Sequence, residues 1–473
     1  MEPNEMESLS ASVLEAQTGD PDPAPVPLPG DRFVAVIDDD PTGIQTVHGV
    51  GVLMDDSRDM ILDAARRHQL FFIETNSRAM DEDQAAQTYS RIMERLVSIS
   101  RETGMDFTVV SRSDSTLRGH YPRETQALRR AYERMTGSAF DGEILVPFFL
   151  EGGRYTIGDV HYVRRDAFLI PAGQTEFARD PAFGYAHSDL RRYICEKHRG
   201  RVRPGDVGSI TLEDLRGGDG GAAYRKLMGL SGGGSMIVNA VHYGDLAALT
   251  RALRRAEAEG RRFLYRTAAS FVRAYGGIAP RPLLTSRELI RGRGGPGVVV
   301  VGSHVRRTTE QLRRLLELPR ARAIEADAGM LLAGGADAAR EISRCAGAID
   351  AALGEPALPV VYTSRAVITA PGGDSGANLA IARAVSHGVV SILRAMKREP
   401  AFVIAKGGIT ASDVAAKALG IRTALALGQI LPGVPVIRCG PESRFPGMPC
   451  VIFPGNVGGE YDLREAAQRM EGS

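Results

Sequence analysis

From residue 33 onward, short apolar runs alternate with stretches of helical pattern, and this alternation constrains the fold more than any other feature. Apolar runs bounded by turn residues are typical of strands buried on both faces. Strands that alternate with helices predict mainly parallel sheets flanked by helices, and we therefore expect an α/β fold. The predicted strands are 33–37, 49–54, 70–74, 107–110, 144–148, 210–212, 235–239, 263–266, 298–301, 323–325, 360–363, 402–405, 435–439 and 450–453.

The chain is long enough for more than one domain, since 473 residues exceed what a single hydrophobic core usually contains. Residues 276–296 are rich in glycine and proline and are the predicted linker. They separate a first domain, 31–275, from a second domain, 297–473. Residues 1–30 end in alternating prolines, which block helix and sheet pairing, and are predicted to be a disordered tail. The tail would also suit an arm that packs on a second copy, so a homodimer is an open alternative.

The charge balance argues against a nucleic-acid-binding function. The chain has 58 Lys and Arg against 57 Asp and Glu, whereas nucleic-acid binders usually carry a basic excess or stripe. No apolar stretch approaches the roughly 20 residues that cross a bilayer, and the acidic N terminus lacks a signal-peptide pattern. The four cysteines have no Cys-x-x-Cys spacing, which argues against a zinc site or disulfides. The sequence thus predicts a cytoplasmic protein with neither a nucleic-acid nor a membrane partner.

Three aspartates, Asp38, Asp39 and Asp40, directly follow the first predicted strand. In open α/β sheets, ligands bind at this end of the strands. Adjacent carboxylates repel each other, so the cluster is unfavourable without a cation or a hydroxylated ligand. The aspartates could accept a proton from a substrate hydroxyl, bind sugar hydroxyls, or hold Mg²⁺ through water. An Asp-rich turn that only caps a helix is the alternative.

A second polar turn, residues 111–119, carries Arg112, Asp114 and Arg118 at the end of another predicted strand. The two arginines could clamp a carboxylate in bidentate fashion, and Asp114 could orient hydroxyls of the same ligand. A third polar turn ends in Arg78 and follows a strand in the same way. The three turns would converge if their strands are neighbours in one sheet. For any one Asp–Arg pair, loop stabilisation alone is the alternative.

Glycine turns that could hold phosphate follow strands in the second half of the chain. Gly407 and Gly408 follow one strand and open a helical segment near Thr410. Free backbone N–H groups and the positive end of a helix dipole favour an anion there. Ser303 and Gly455 follow two other strands. Neither the Gly-x-x-x-x-Gly-Lys-Ser/Thr loop nor the dinucleotide fingerprint is present, so the sequence predicts a nucleotide site of another design, with purely steric glycines as the alternative.

These motifs resemble those of the four-carbon acid sugar kinases. Asp39-Asp-Pro-Thr-Gly43 is similar to the family's Asp-Asp-x-Thr-Gly signature. The run from Arg112 to Gly119 resembles its Lys-x-Asp-Ser-Thr-Leu-Arg-Gly motif. The resemblance extends over about residues 33–465. Motifs that resemble the family's C-terminal ATP site are Gly302-Ser303 with Thr308 and Gln311, Gly407-Gly408-x-Thr410, and the turn around Gly455.

The resemblance implies an N-terminal acid-sugar-binding domain, a C-terminal nucleotide-binding domain, and phosphoryl transfer in the cleft between them. It implies ATP and Mg²⁺ as cofactors, and a small sugar acid such as erythronate, threonate, a 3-oxo-tetronate or 3-oxo-isoapionate as substrate. It places Asp39, Asp40, Arg112, Asp114 and Arg118 on the substrate side. We predict catalytic roles for Asp39 and Asp40. The predicted substrate-binding residues are Thr42, Gly43, Arg78, Arg112, Asp114 and Arg118. The implied ATP-binding residues are Ser303, Gly407, Gly408, Ile409, Thr410 and Gly455.

The chain also departs from the family pattern. Asp38 stands where many members have alanine, Arg112 replaces the usual lysine, and His120 replaces an asparagine. These departures leave the choice of sugar acid open. The choice between Asp39 and Asp40 as the base is also open. Two other functions remain alternatives. A metal-dependent sugar-acid hydrolase or lyase would turn over without ATP, and a non-catalytic sugar-acid-binding protein would bind without turnover.

Overall fold

The computed structural model describes residues 7–15, 23–217, 220–290, 294–303, 305–365, 368, 375–455 and 457–472. The chain divides into two compact units. Unit 1 comprises Met1–Val47 and Asp56–Pro280, and unit 2 comprises His48–Asp55 and Arg281–Ser473. Each unit carries mainly parallel strands flanked by helices, which confirms the predicted two-domain α/β fold.

The described strands, in chain order, are β1 (Leu9–Ser10), β2 (Arg32–Asp38), β3 (Val50–Leu53), β4 (Leu70–Glu74), β5 (Asp106–Arg112), β6 (Gly142–Val146), β7 (Arg154–Ile157), β8 (Val160–Arg165), β9 (Phe168–Pro171), β10 (Gly208–Ile210), β11 (Gly234–Val238), β12 (Phe263–Thr267), β13 (Val298–Val301), β14 (Ala321–Ala326), β15 (Leu358–Thr363), β16 (Val403–Lys406), β17 (Thr423–Leu431), β18 (Val434–Cys439) and β19 (Pro449–Phe453). The described α-helices are α1 (Ser12–Glu15), α2 (Arg58–Arg67), α3 (Glu82–Thr103), α4 (Arg123–Thr136), α5 (Leu190–Lys197), α6 (Leu212–Arg216), α7 (Gly221–Gly229), α8 (Tyr243–Ala258), α9 (Ala269–Tyr275), α10 (Ser286–Ile290), α11 (Arg306–Leu316), α12 (Ala328–Ala333), α13 (Gly335–Leu353), α14 (Ser375–Ala395), α15 (Gly408–Asp413) and α16 (Asp462–Glu471).

The main strands of unit 1 are parallel and lie in the order β10-β11-β6-β12-β5-β2-β4. The apolar residues of β2 are fully buried, as expected for a strand covered on both faces. Neighbouring parallel strands end at the same edge of the sheet. The polar turns after β2, β4 and β5 therefore meet there, as the sequence predicts, because these three strands are neighbours.

Unit 1 also contains a small antiparallel sheet in the order β1-β9-β8-β7. Its strand β1 lies in the stretch that the sequence predicts to be a disordered tail. Leu9 lies opposite Leu169, and Ala11 and Leu14 are each only 9% exposed. These apolar side chains give residues 7–15 a buried face, which the proline-rich end of the tail lacks.

Unit 2 has its strands in the order β3-β17-β18-β19-β16-β13-β15-β14. The strands from β19 to β14 run parallel, while β3, β17 and β18 are antiparallel to their neighbours. Val301, Lys406 and Phe453 are in register on three adjacent strands, so the turns that follow them begin at the same level. Within the described ranges, no helix is both long and apolar enough to span a bilayer.

Candidate functional site

A row of buried charges ends the strands of unit 1. Asp38 lies between Glu74 and Arg112 in the register of three adjacent parallel strands. Arg112 Nη1 donates to Asp38 Oδ1 at 2.7 Å. The sequence predicts that Arg112 and Arg118 clamp one carboxylate, whereas Arg112 is here engaged by a carboxylate of the protein itself.

Burial dominates the ionisation of Asp38 and Glu74. Burial raises the pKa of Asp38 to about 7, although the charge of Arg112 opposes this shift. Burial, reinforced by the charge of Asp38, raises the pKa of Glu74 well above its ordinary value. Gly43 lies against the first of these carboxylates, because a Cβ built on it would fall 1.5 Å from Asp38 Oδ2. A glycine is thus required at the position predicted to bind substrate.

Asp39 and Asp40 are adjacent in sequence but differ in surroundings. Asp39 is fully buried, its Oδ1 lies 3.4 Å from Arg78 Nε, and neither carboxyl oxygen has a hydrogen-bond donor among the described residues. Asp40 Oδ2 lies 2.5 Å from Arg78 Nη2, and Asp40 Oδ1 accepts the Thr42 N–H at 2.8 Å. The two aspartates therefore offer different chemistry.

The ionisation of these two aspartates is shifted in opposite directions. Burial raises the pKa of Asp39, and the charges of Arg78 and Arg112 oppose the shift without cancelling it. Burial also acts to raise the pKa of Asp40, but the charge of Arg78 and the bonds from Thr42 outweigh it and lower that pKa. The Asp39 carboxylate is consequently the stronger base of the two.

Asp114 and Arg118 form an ion pair within the second polar turn, residues 111–119. Arg118 Nε donates to Asp114 Oδ2 at 2.7 Å, and Arg118 Nη1 lies 3.5 Å from Asp180 Oδ2. Burial would raise the pKa of Asp114, but the charges of Arg118 and Arg78 lower it. Asp114 is therefore a carboxylate at neutral pH and can accept hydrogen bonds from a hydroxylated ligand.

A second buried ion pair lies behind Asp39. Arg266 Nε is 3.1 Å from Glu124 Oε1, and both side chains are almost completely buried. Burial raises the pKa of Glu124 to about 7. A Cβ built on Gly119 would lie 3.1 Å from Arg266 Nη2 and 3.3 Å from Asp39 Oδ2, so the glycine lets both groups approach the turn. The sequence does not single out this pair, because its members lie on β12 and α4, far apart in the chain.

Three ring side chains hold the turn between Asp114 and Arg118 by its backbone. His161 Nε2 lies 2.7 Å from the Ser115 carbonyl oxygen. The hydroxyl of Tyr185 donates to the carbonyl of Thr116 at 2.8 Å, and that of Tyr193 to the carbonyl of Leu117 at 2.8 Å. Leu117 has a φ of 67°, a left-handed conformation that a bulky residue keeps only when its surroundings enforce it. The three rings therefore fix the direction of the flanking charged side chains.

His161 is neutral in this arrangement, and its ionisation is linked to stability. Its Nδ1 lies 3.0 Å from the Thr156 hydroxyl, so that hydroxyl donates to Nδ1 while Nε2–H donates to Ser115. Burial lowers the pKa of His161 from 6.5 to about 4. Between these two values the unfolded chain binds a proton that the folded chain does not, so this contribution to stability falls as the pH falls.

We expect the stability advantage of the wild-type protein over His161→Gln to shrink by roughly 1.5 kcal/mol between pH 6.5 and pH 5. Chemical denaturation of both proteins at several pH values measures it. Buried carboxyls with raised pKa values shift stability in the opposite direction, but they are present in both proteins and cancel in the difference. A difference that stays constant across this range would contradict the neutral state of His161.

In unit 2, the predicted nucleotide-binding residues lie together after three adjacent strands. Gly407 has a φ of +117°, and a Cβ built on it would lie 3.0 Å from the Ser303 Cβ. A Cβ built on Gly302 would lie 2.1 Å from Thr410 Oγ1, and one on Gly455 would lie 3.6 Å from Ser303 Oγ. The structure thus brings Ser303, Gly407, Thr410 and Gly455 together. Gly408 begins α15, and the backbone of Ile409 lies in its first turn.

A buried lysine supports these turns. Lys406 is fully buried, and its Nζ donates to the carbonyls of Pro454 and Gly455 at 2.6 and 3.2 Å. Burial lowers its pKa to about 7, and the nearby Arg307 charge adds to this shift. The ammonium group also lies 4.1 Å from the centre of the Phe453 ring. The sequence gives only a weak signal for this role, a lysine directly before a glycine pair.

Two side chains of helix α11 contact the same turns. Thr308 Oγ1 donates to Ser303 Oγ and to the Gly455 carbonyl, each at 3.3 Å. Gln311 Nε2 donates to the Gly459 carbonyl at 2.8 Å. Both side chains are fully buried and hold the backbone of the turn after β19. The two side chains therefore fix the position of this turn.

The described residues do not build a metal site of their own. Among them, no group of three or more His, Cys, Asp and Glu side chains is arranged to hold a metal ion. Within the acidic turn, Arg112 engages Asp38 and Arg78 engages Asp40. A dedicated Mg²⁺ cage does not fit these residues.

Two family models match the chain. One, described as a sugar-binding N-terminal domain, matches residues 34–275. The other, described as a nucleotide-binding C-terminal domain, matches residues 298–463. A search of curated proteins finds no match.

Solved structures share the fold. A Salmonella typhimurium LT2 protein, described provisionally as a tRNA synthase, is 18% identical and aligns with a TM-score of 0.63 over 92% of this chain and 98% of that one. Haemophilus influenzae protein HI1011 is 19% identical and aligns with a TM-score of 0.58 over 92% of this chain and 100% of that one. A Bordetella bronchiseptica protein with bound citrate, a domain-swapped dimer, is 21% identical over 93% and 98% of the two chains, but its TM-score of 0.38 is too low to support an argument.

Proposed function

Because the chain belongs to the four-carbon acid sugar kinase family, with its sugar-binding N-terminal and nucleotide-binding C-terminal domains, we propose that it is an ATP-dependent kinase that phosphorylates a hydroxyl of a small sugar acid. The observation that carries the proposal is Asp39. It is a buried carboxylate at the ligand-binding edge of the sugar-binding domain, and both of its oxygens lack a donor among the described residues. A substrate hydroxyl would supply that donor.

In the proposed reaction, the substrate hydroxyl oxygen attacks the γ-phosphorus of ATP in line with the leaving oxygen of ADP. The bond to ADP breaks as the new P–O bond forms, and the hydroxyl proton passes to Asp39. The raised pKa of Asp39 suits a base that works near neutral pH. The lowered pKa of Asp40 suits a carboxylate that holds Arg78 in place. Such transfers depend mainly on positioning and charge stabilisation.

The substrate is proposed to lie along the polar turns of unit 1. Asp114, ionised and paired with Arg118, would accept hydrogen bonds from its hydroxyls. Arg78 lies beside Asp39 and Asp40 and would face the reacting hydroxyl. Erythronate, threonate, 3-oxo-tetronates and 3-oxo-isoapionate are the candidate substrates. The proposed setting is the cytoplasm.

The nucleotide is proposed to bind at the glycine turns of unit 2. Backbone N–H groups at the start of α15, from Gly408 to Thr410, would face the phosphates together with the Ser303 hydroxyl. Gly407 and Gly455 would keep the turns free of side chains. Mg²⁺ would arrive with the phosphates, since it needs only one or two protein carboxylates in such sites. It would neutralise phosphate charge, and no residue role above depends on it.

The test is ADP release from ATP in the presence of D-erythronate, D- or L-threonate, 3-oxo-tetronates or 3-oxo-isoapionate. We expect release that depends on one of these acids and a phosphorylated product detected by mass spectrometry. Consumption of an acid without ATP would favour the hydrolase or lyase. Binding of an acid without consumption of either compound would favour the non-catalytic alternative. Failure to bind ATP, measured by titration calorimetry, would overturn the kinase.

A further inference from the structure

The arginines near the polar turns of unit 1 differ in whether a carboxylate lies within 4 Å of them. Arg78, Arg112, Arg118 and Arg266 each have a carboxylate oxygen within 4 Å. Arg154 has none among the described residues. Of its hydrogen-bonding groups, Nη1 donates to the Gly152 carbonyl, while the buried Nε has no acceptor. A guanidinium that is partly withdrawn from water without a counter-ion is unfavourable, so an anion at this place would be stabilising.

Arg154 and Arg118 both lie near the ring of Phe177. The guanidinium carbon of Arg118 is 5.1 Å from the centre of the Phe177 ring, and that of Arg154 is 5.8 Å from the same centre. Two cations near one ring repel each other. Burial lowers the pKa of Arg154, the negative charge of Asp114 opposes this shift, and the positive charge of Arg118 adds to it. An anion shared by the two guanidiniums would remove this repulsion.

The backbone holds Arg154 at the same edge of the sheet as the acidic turn. Arg154 begins β7, and its N–H and carbonyl pair with Phe149, just beyond the end of β6. A Cβ built on Gly152 would lie 2.6 Å from Arg154 Nη1, so the preceding turn closes tightly around the guanidinium. The position of Arg154 is therefore set by the small antiparallel sheet.

A series of charged side chains links Arg118, which shares the Phe177 ring with Arg154, to the proposed base. Asp114 pairs with Arg118, and the charge of Arg78 also lowers the pKa of Asp114. Arg78 contacts Asp39. A small sugar acid has its carboxylate at one end and hydroxyls along the rest of its chain. Such a molecule would match this series, with its anionic end at Arg154 and a hydroxyl at Asp39.

We propose that Arg154, together with Arg118, binds the carboxylate of the substrate and makes the enzyme specific for sugar acids over the uncharged polyols. This inference rests on the proposed function. Arginine suits the role because its planar fork binds a carboxylate through two parallel hydrogen bonds. In this proposal Arg154, which has no carboxylate within 4 Å among the described residues, takes the place predicted for Arg112. Arg118 would bind the substrate carboxylate while it keeps its ion pair with Asp114.

The experiment compares wild type, Arg154→Gln, Arg154→Lys and the exposed control Arg179→Gln on acid and polyol pairs, erythronate with erythritol and threonate with threitol. We expect Arg154→Gln to raise KM for the acid about 10- to 100-fold while turnover of the polyol stays unchanged. Arg154→Lys, which keeps the charge but loses the fork, should lie between the two. Arg179→Gln should match the wild type.

Two results would overturn the proposal without affecting the kinase: an unchanged KM for the acid in Arg154→Gln, or an equal loss on acid and polyol, which a merely structural role would give. If the wild type turns over no acid, calorimetric titration of wild type and Arg154→Gln with erythronate and threonate decides. Acid binding that weakens at least tenfold in the variant supports the carboxylate site although the kinase proposal fails. Equal binding to both proteins, or no binding to the wild type, overturns it.

Discussion

Replacing Asp39 with asparagine should lower kcat about 10²- to 10⁴-fold, the range that a positioned general base contributes. Asparagine keeps the size and shape of the side chain but cannot accept a proton from the substrate hydroxyl. Asp39 is fully buried and both of its oxygens lack donors among the described residues, so they are free to accept the substrate hydroxyl. ATP affinity should stay unchanged, because the proposed nucleotide site lies in the other unit.

The measurement is steady-state kinetics with the acid that the wild type phosphorylates, alongside calorimetric ATP titration. Asp40→Asn is the matched comparison, since its lowered pKa and its contact with Arg78 indicate positioning, and its loss should affect KM more than kcat. The pH profile adds a second criterion. Because burial raises the pKa of Asp39 above its ordinary 3.8, the wild-type acid limb should lie above that value and disappear in Asp39→Asn. A larger kcat loss in Asp40→Asn would assign the base to Asp40 instead.

Gly43→Ala should destabilise unit 1 by about 3 kcal/mol and abolish most activity. The added Cβ would fall 1.5, 2.3 and 2.6 Å from the Oδ2, Cγ and Oδ1 atoms of Asp38. That carboxyl group cannot simply rotate away, because it is fully buried and held by Arg112 at 2.7 Å. Either the turn after β2 must shift or the ion pair must break, and both displace Asp39.

Thermal and urea denaturation measure the loss, and Gly205→Ala is the matched control. Gly205 lies in the same unit, and a Cβ built on it meets nothing within 4 Å, so its replacement should change the free energy of unfolding little. A Gly43→Ala protein as stable and active as the control would show that the turn has room that the structure does not indicate. It would also weaken the assignment of Asp39, whose position depends on that turn.

The large features of this fold can be predicted from local sequence pattern. Most strands of the parallel arrangement contain an apolar run, as in Val298–Val301, and many of these runs are separated by helices long enough to show their period. The antiparallel strands are harder to predict. β17 contains small residues and a glycine, Gly428, with a φ of +130°, so its strand signal is weak. The strands β7 and β8 carry several polar and charged residues, and β9 has only four residues, so none of them gives a clear strand pattern.

The candidate site divides in the same way. Asp39, Asp114 and the Gly407 turn stand at strand ends, where a short motif and its position both indicate a ligand. Arg266 and Glu124 stand in no such motif, and their surroundings are created by residues far away in the chain. The contact between Arg112 and Asp38 could not be predicted for the same reason, because only the register of β2 and β5 brings the two side chains together. Pairing between distant charges is a property of the folded chain and leaves no local pattern.

The assignment of β3 to unit 2 means that the chain leaves unit 1 after Val47, contributes residues 48–55 to the other unit, and returns at Asp56. β3 pairs with β17 through Val50, Val52 and neighbouring residues that are almost completely buried. A single proteolytic cut near residue 280 would therefore separate β3 from β17, with β3 on the first fragment and β17 as an open edge on the second. Unpaired edges of this kind promote aggregation. Because unit 2 includes a strand that lies within the sequence of unit 1, a cut between the units leaves neither of them complete. Neither half could therefore be transferred intact into another protein.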